Sequence, residues 1–264
     1  MLIEYFNALA AAVSGVDLNL VLFAGVFVRM SAIAFLAPGL GERPLPMRVR
    51  LAAAFACTFI AWPLVSAANE PDAYTASTLP SLILSEALIG LVIGFGLRMA
   101  VFVLHLVGSI AAQHISLSQL FGPGLGHDQE SPLATLLTMA ALAVAAAGGM
   151  HIKLALAFIH SFDAFAPGAL LSPGDVGSWA SSSVNAGFRL AYELAAPFVL
   201  LGVAYSLSLA AISRAMPQLM AAFVGAPAVI FFGLILVALV ATVILERWAD
   251  ILDGLYVNPL GGIG

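Results

Sequence analysis

The chain has 264 residues, 62% of them hydrophobic and 9% charged, with a formal net charge of −5 and a mean hydropathy of +1.08. Soluble domains run nearer about 45–50% apolar and about 25% charged, so a water-exposed fold of this length cannot hide its apolar surface, and lipid or a large apolar partner must cover the rest. The scattered charges form no basic stripe for nucleic acid, and the single cysteine, Cys57, excludes intramolecular disulfides, iron–sulfur clusters and multi-cysteine zinc sites.

In chain order, Met1–Asp17 lacks a basic n-region and is only weakly apolar between Glu4 and Asp17, so it does not read as a cleavable signal. A bilayer core of about 30 Å takes roughly 20 apolar residues in a helix. Six stretches approach that length: Leu18–Ala37, Leu51–Ala67, Leu82–Val107, Leu133–Met150, Gly187–Ile212 and Leu219–Leu245. The fourth is short, and an apolar stretch at Ile152–Phe162 follows it as an extension, a re-entrant helix or a helix lying against the other spans. The predicted class is an all-α membrane protein.

The connections separate by charge. Gly41–Arg50 holds Arg43, Arg48 and Arg50 against Glu42, and Arg214 precedes the sixth span, which places both on the cytoplasmic side. Ala68–Pro80 carries Glu70 and Asp72 without a base, and the tail after Leu245 is acidic, so both termini are expected outside. The longest polar connection, Phe162–Ser183, falls on the outer side in this count. Within the spans, Gly90-x-x-x-Gly94 lets a neighbouring backbone approach, Pro197 is expected to kink its helix, and Pro63 and Gly148–Gly149 add further breaks. The pattern is one of interrupted, closely packed helices.

Five charges fall inside apolar runs: Arg29, Glu86, Arg98, Arg189 and Glu193. A charge at the bilayer centre costs about 2.5–3.5 kcal/mol on insertion scales, so each needs a partner or a watery cavity. Arg189 and Glu193 are one turn apart and can pair locally, whereas Arg29, Glu86 and Arg98 must find partners in other spans or other subunits. One carboxylate between two arginines makes a poor proton relay, which favours polar subunit contacts or snorkelling to the interface. The histidines (His105, His114, His127, His151 and His160) show no three- or four-residue pairing of the kind that holds a metal, so neither a metal nor a cofactor is expected. Gly-x-Ser-x-Gly, His-Glu-x-x-His and Walker patterns are absent, and Gly122, Gly124 and Gly126 lack the lysine of a nucleotide loop. Nothing points to catalysis.

The most unusual stretch is Leu120–Pro132, in which the apolar Phe121-Gly122-Pro123-Gly124-Leu125-Gly126 precedes a polar turn and follows an unusually polar helix end, Gln113 to Gln119. Bare backbone at membrane depth is tolerated only inside protein or beside a water-filled cavity. The segment therefore reads either as a pore-lining or pore-plugging element or as a loop outside the membrane.

Several spaced positions together resemble the R subunit family of the flagellar export gate (FliR), whose relatives serve type III secretion injectisomes. They are Arg29 through Pro38; Gly41-Glu-Arg-Pro-Leu-Pro46-Met-Arg48-Val-Arg50; the glycine-bearing Glu86 to Phe95; Gly149-Met-His151, Ser161-Phe162 and Pro167; and Arg214-Ala-Met-Pro217-Gln218. The resemblance runs from about residue 20 to 245. It departs at the Gly-Pro-Gly after Phe121, where relatives often carry Asp-Pro, and in an alanine-rich fourth helix. The resemblance implies a single export-gate domain over 1–264, with 18–183 similar to the P subunit and 187–245 to the helical hairpin of the Q subunit. Partners would be the P and Q subunits and the B-type switch subunit, assembled as a closed helical cone in the basal body through which unfolded proteins pass. It also makes Phe121–Gly126 the gating loop, makes the five intramembrane charges assembly contacts, and leaves no active site.

Overall fold

The computed structural model describes residues 20–42, 44–69, 74, 75, 77–115, 131–216 and 221–261. Among these residues the ordered elements are helices: α1 (Leu20–Leu36), α2 (Met47–Ala68), α3 (Leu79–His114), α4 (Pro132–Ala147), α5 (Met150–Ala164), α6 (Pro173–Ala215) and α7 (Ala221–Val257). Helices α2, α3, α6 and α7 are long and apolar enough to cross a bilayer, and α4 with α5 makes a fifth crossing if the pair is taken as one broken span. At 17 residues, α1 reaches only about 26 Å at about 1.5 Å per residue.

The all-α class stands, but three expected boundaries move. The fourth span does not run on into Ile152–Phe162. It ends at Ala147, and a separate helix starts at Met150 after Gly149, whose φ of +79° is left-handed and costs little only for glycine. The connection expected over Phe162–Ser183 is half helix, because Pro173 opens α6 with its preset φ and Asp175 places a carboxylate in the first turn. The tail expected after Leu245 continues α7 to Val257, since Trp248, Leu252, Leu255 and Tyr256 recur at helical spacing and are all buried. Pro63, Pro197 and Pro227 lie inside α2, α6 and α7, none of which is divided there.

The chain forms two compact units. The first comprises the described residues within 20–98, 149–182 and 253–261. In it α1 and α2 make a hairpin sealed by edge-on aromatic contacts of Phe23 with Phe55, Phe59 and Trp62, at centroid distances of 6.0, 5.7 and 5.8 Å. The other flank of α1 lies on α3. A Cβ at Gly90 would come within 2.7 Å of the Ala32 Cβ and 2.8 Å of the Arg29 carbonyl, and one at Gly94 within 2.9 Å of the Leu36 Cβ. Glycine is what permits this approach. The end of the described chain returns to the same unit, where the Trp179 indole N–H donates to the Leu260 carbonyl at 3.0 Å and Lys153 pairs with Asp253.

The second unit comprises the described residues within 99–148 and 183–252. Here the C-terminal half of α3 is gripped at small residues. His114 stands against Gly202 of α6, Ile115 against Gly233 of α7, and Ala134 of α4 against Gly108. The Trp248 indole N–H donates to the Ala100 carbonyl at 2.9 Å. Of the most apolar window of each helix, 61% is buried in α3 but only 17% in α6 and 17% in α7, so most of the apolar surface of the last two helices needs cover from outside the chain.

Candidate functional site

The most elaborate polar site lies within the first unit, around Arg29. Arg29 is on the α3-facing side of α1, and both it and Glu86 of α3 are fully buried. The guanidinium meets the carboxylate with two hydrogen bonds, Nε to Oε2 at 2.5 Å and Nη2 to Oε1 at 3.0 Å, the fork-to-fork geometry that planar arginine favours. Its Nη1 donates onward to the carbonyls of Ser161 at 2.9 Å and Phe165 at 2.8 Å. These belong to the last turn of α5 and the residue after it; the Ser161 carbonyl also accepts the Phe165 amide at 3.1 Å, and carbonyls at a helix C-terminus carry partial negative charge. The Phe162 ring covers the guanidinium, with Cζ 3.9 Å from the centroid, adding a cation–π contact out of water.

Glu86 completes the network on its other side. Its Oε1 accepts the backbone N–H of Gly168 at 2.8 Å, in a turn where Gly168 has a φ of +81°. The Tyr74 hydroxyl donates to the Pro167 carbonyl at 3.4 Å. Burial pushes the Tyr74 phenol up, the nearby Glu86 carboxylate adds to the shift, and Arg29 works against it, so Tyr74 stays neutral and available as a donor at ordinary pH. One ion pair thus ties together α1, α3, the end of α5 and the turn at 165–168. A matched, fully hydrogen-bonded pair offsets much of the cost of burying two charges, but removing either partner exposes that cost. This is the chemistry of a clamp: Glu86 is engaged on both sides, by the Arg29 guanidinium and by the Gly168 amide.

The other intramembrane charges are arranged differently. Arg98 Nη1 donates to Glu42 Oε1 at 2.7 Å with both side chains partly exposed. Arg189 and Glu193 pair across one turn of α6 at 3.1 Å, with side chains 77% and 58% exposed. The partners of Arg29, Glu86 and Arg98 are therefore in other elements of the same chain. Pro38 lies in the turn after α1, and Pro46 is the residue before α2. Arg48 is exposed, whereas Arg50 donates to the Glu42 carbonyl and stacks at 5.6 Å over Phe35. Gly90 and Gly94 form the α1–α3 contact, and His151 and Arg214 are exposed at the start of α5 and the end of α6. The expected gating loop Phe121–Gly126, with Pro217 and Gln218, lies outside the described residues.

Sequence reading missed the carbonyls of Ser161 and Phe165, the Gly168 amide and Tyr74. The only local hint is Pro167-Gly168 just past an apolar helix, a turn with its backbone free to bond elsewhere.

These features define a class: a multi-pass helical membrane protein, braced inside by a buried ion pair and exposing many large hydrophobic side chains along its long helices. Residues 20–255 match the family described as bacterial export proteins, family 1, and the chain belongs to that family. It is similar to the flagellar biosynthetic protein FliR of Caulobacter vibrioides, 30% identical over 234 residues that make 86% of this chain and 93% of that protein. The FliR of Escherichia coli is 26% identical over 212 residues, 80% of each chain. Yop proteins translocation protein T of Yersinia pestis is 30% identical over 172 residues, 62% of this chain and 64% of its own length.

Proposed function

We infer that this chain is a core subunit of the type III protein export gate of the bacterial inner membrane, part of the channel through which unfolded flagellar proteins leave the cell. The observation that carries this reading is the family match over residues 20–255, with relatives named for flagellar biosynthesis and for Yop translocation. Helix dimensions are consistent with it. The 43 residues of α6 and 37 of α7 are about 64 Å and about 55 Å long at about 1.5 Å per residue. Even at about 40° of tilt, a hydrocarbon core of about 30 Å accommodates only about 39 Å of helix. The excess length lies outside the hydrocarbon core, and the apolar windows themselves, only 17% buried within the chain, are left to neighbouring helices or lipid.

In this reading the neighbours are the P and Q subunits, arranged with this chain in a closed helical cone, together with the B-type switch subunit. Residues 18–183 take the place of a P-like part and 187–245 that of a Q-like hairpin, and both termini lie outside. The exposed Arg189 and Glu193 meet neighbouring subunits directly. Arg29, Glu86 and Arg98 act on assembly by fixing the shape of the chain that neighbours bind. Phe121–Gly126 plugs the channel, and its deletion should make assembled membranes leak small solutes; unchanged permeability would remove that assignment. The protein is a structural part of a gate, with export energy supplied elsewhere.

The relative from Yersinia keeps an injectisome gate as the second reading. Removing the gene and restoring it on a plasmid tests both. The flagellar reading expects hook and filament proteins to be lost from the medium and regained, with other secretion intact. Loss of injected effectors instead would favour the second reading, and unaffected export of both classes would contradict the two together.

A further inference from the structure

We propose that the start of α2, with the connection that precedes it, binds the head group of an anionic phospholipid whose acyl chain lies along the exposed face of α2. The site stands within the first unit and does not depend on the export-gate reading. Three guanidiniums gather there around one carboxylate. Arg98 pairs with the Glu42 carboxylate at 2.7 Å and its side chain stays 38% exposed. Arg50 donates to the Glu42 carbonyl instead and stacks over Phe35, so its charge is not cancelled. Arg48, in the same turn of α2, is exposed. Glu42 thus answers Arg98, and Arg48 and Arg50 leave an excess of positive charge.

Arg48 also heads an apolar strip. Ala52, Phe55 and Phe59 follow it at four-, three- and four-residue intervals, all exposed, while Ala54, Thr58, Ala61 and Trp62 are buried. Side chains at that spacing share one face of a helix. From Arg48 to Phe59 the helix rises about 16 Å at about 1.5 Å per residue, and one leaflet contributes about 15 Å to a hydrocarbon core of about 30 Å. The rings are braced: Phe55 and Phe59 meet edge-on at 4.9 Å, and both pack against Phe23. Water would serve the guanidiniums but leave the strip uncovered, which costs free energy in proportion to its apolar area. A neutral hydrocarbon would cover the strip and leave the charges unanswered, and a free phosphate would do the reverse. An amphiphile with a negative head satisfies both ends, and basic side chains beside a span attract anionic head groups.

Native mass spectrometry tests this on the full chain, extracted in neutral detergent with whatever it retains and supplied with equal phosphatidylglycerol and phosphatidylcholine. The uncancelled charges of Arg48 and Arg50 predict that phosphatidylglycerol is retained roughly 30-fold in preference. Arg48→Gln should lower that preference about fivefold, whereas Arg247→Gln, which removes an exposed arginine of α7, should leave it unchanged. Excess inorganic phosphate should not displace the lipid. Equal retention of the two lipids, an equal fall in both variants, displacement by phosphate, or loss of a co-purifying protein rather than of lipid with Arg48→Gln would each overturn the proposal. If Arg48→Gln lowers the yield of the chain itself, the comparison of the two lipids on the unaltered chain decides.

Discussion

Replacing Arg29 with methionine keeps most of the apolar length of the side chain and removes its charge. Four hydrogen bonds go with it: two to the Glu86 carboxylate and one each to the carbonyls of Ser161 and Phe165. Glu86, itself fully buried, retains the Gly168 amide. Breaking a buried pair from one side in this way costs about 3–5 kcal/mol, and Glu86→Leu should cost a similar amount by stranding the guanidinium. The double variant Arg29→Met with Glu86→Leu has no buried charge left. Ser161 O still accepts from the Phe165 amide, so the residual loss is the unpaired Gly168 amide and Phe165 carbonyl, about 1–3 kcal/mol each, offset by the two charges that no longer have to be desolvated. The double variant should therefore be more stable than either single variant by about 2 kcal/mol, roughly a 30-fold difference in the folded-to-unfolded ratio. Unfolding midpoints of the four detergent-solubilised proteins against a denaturing detergent measure this. Single variants that cost less than about 1 kcal/mol, or a double variant as damaged as the sum of the two, would refute the clamp.

Two further substitutions test the close helix contacts. Gly90→Ala places a methyl within 2.7 Å of the Ala32 Cβ and 2.8 Å of a backbone oxygen; helix backbones cannot yield as side chains do, so a loss of about 1–3 kcal/mol is expected, read as a lower thermal midpoint, and an unchanged midpoint would mean that α1 and α3 stand further apart. Gly202→Ala drives its new methyl into the His114 side chain, whose Cβ and Cγ both stand 3.0 Å away; the damage should be largely reversed by His114→Ala, and if the pair fares no better than Gly202→Ala alone, His114 is not what fills that space.

Much of the molecule was legible from residue order, for reasons that differ from place to place. The helical class follows from hydropathy alone, because a stretch of about 20 apolar residues has few alternatives to a helix in lipid. Gly90 and Gly94 were readable as a close-approach seam, and Arg189 with Glu193 as a local pair, because both rest on the fixed geometry of a single helix. The reach of the helices was not. Hydropathy marks the length that lipid needs, whereas α6 begins earlier on the strength of Pro173 and Asp175, and α7 runs on because Trp248, Leu252, Leu255 and Tyr256 are buried by packing. The clamp was half readable. Two stranded charges announced the need for partners, but Arg29 and Glu86 are 57 positions apart and no spacing rule joins them. The backbone groups that complete the network carry no signature in the choice of side chain, since every residue but proline offers the same amide and carbonyl.

The central claim is that the exposed apolar surface of α6 and α7 is covered by other subunits of a gate, and the native mass of the gently extracted protein tests it most directly. The account predicts one assembly several times heavier than the 27.2 kDa chain, in which fragmentation yields this chain together with two other kinds of small membrane protein. A mass equal to the chain alone, or to a whole number of its own copies, would contradict it.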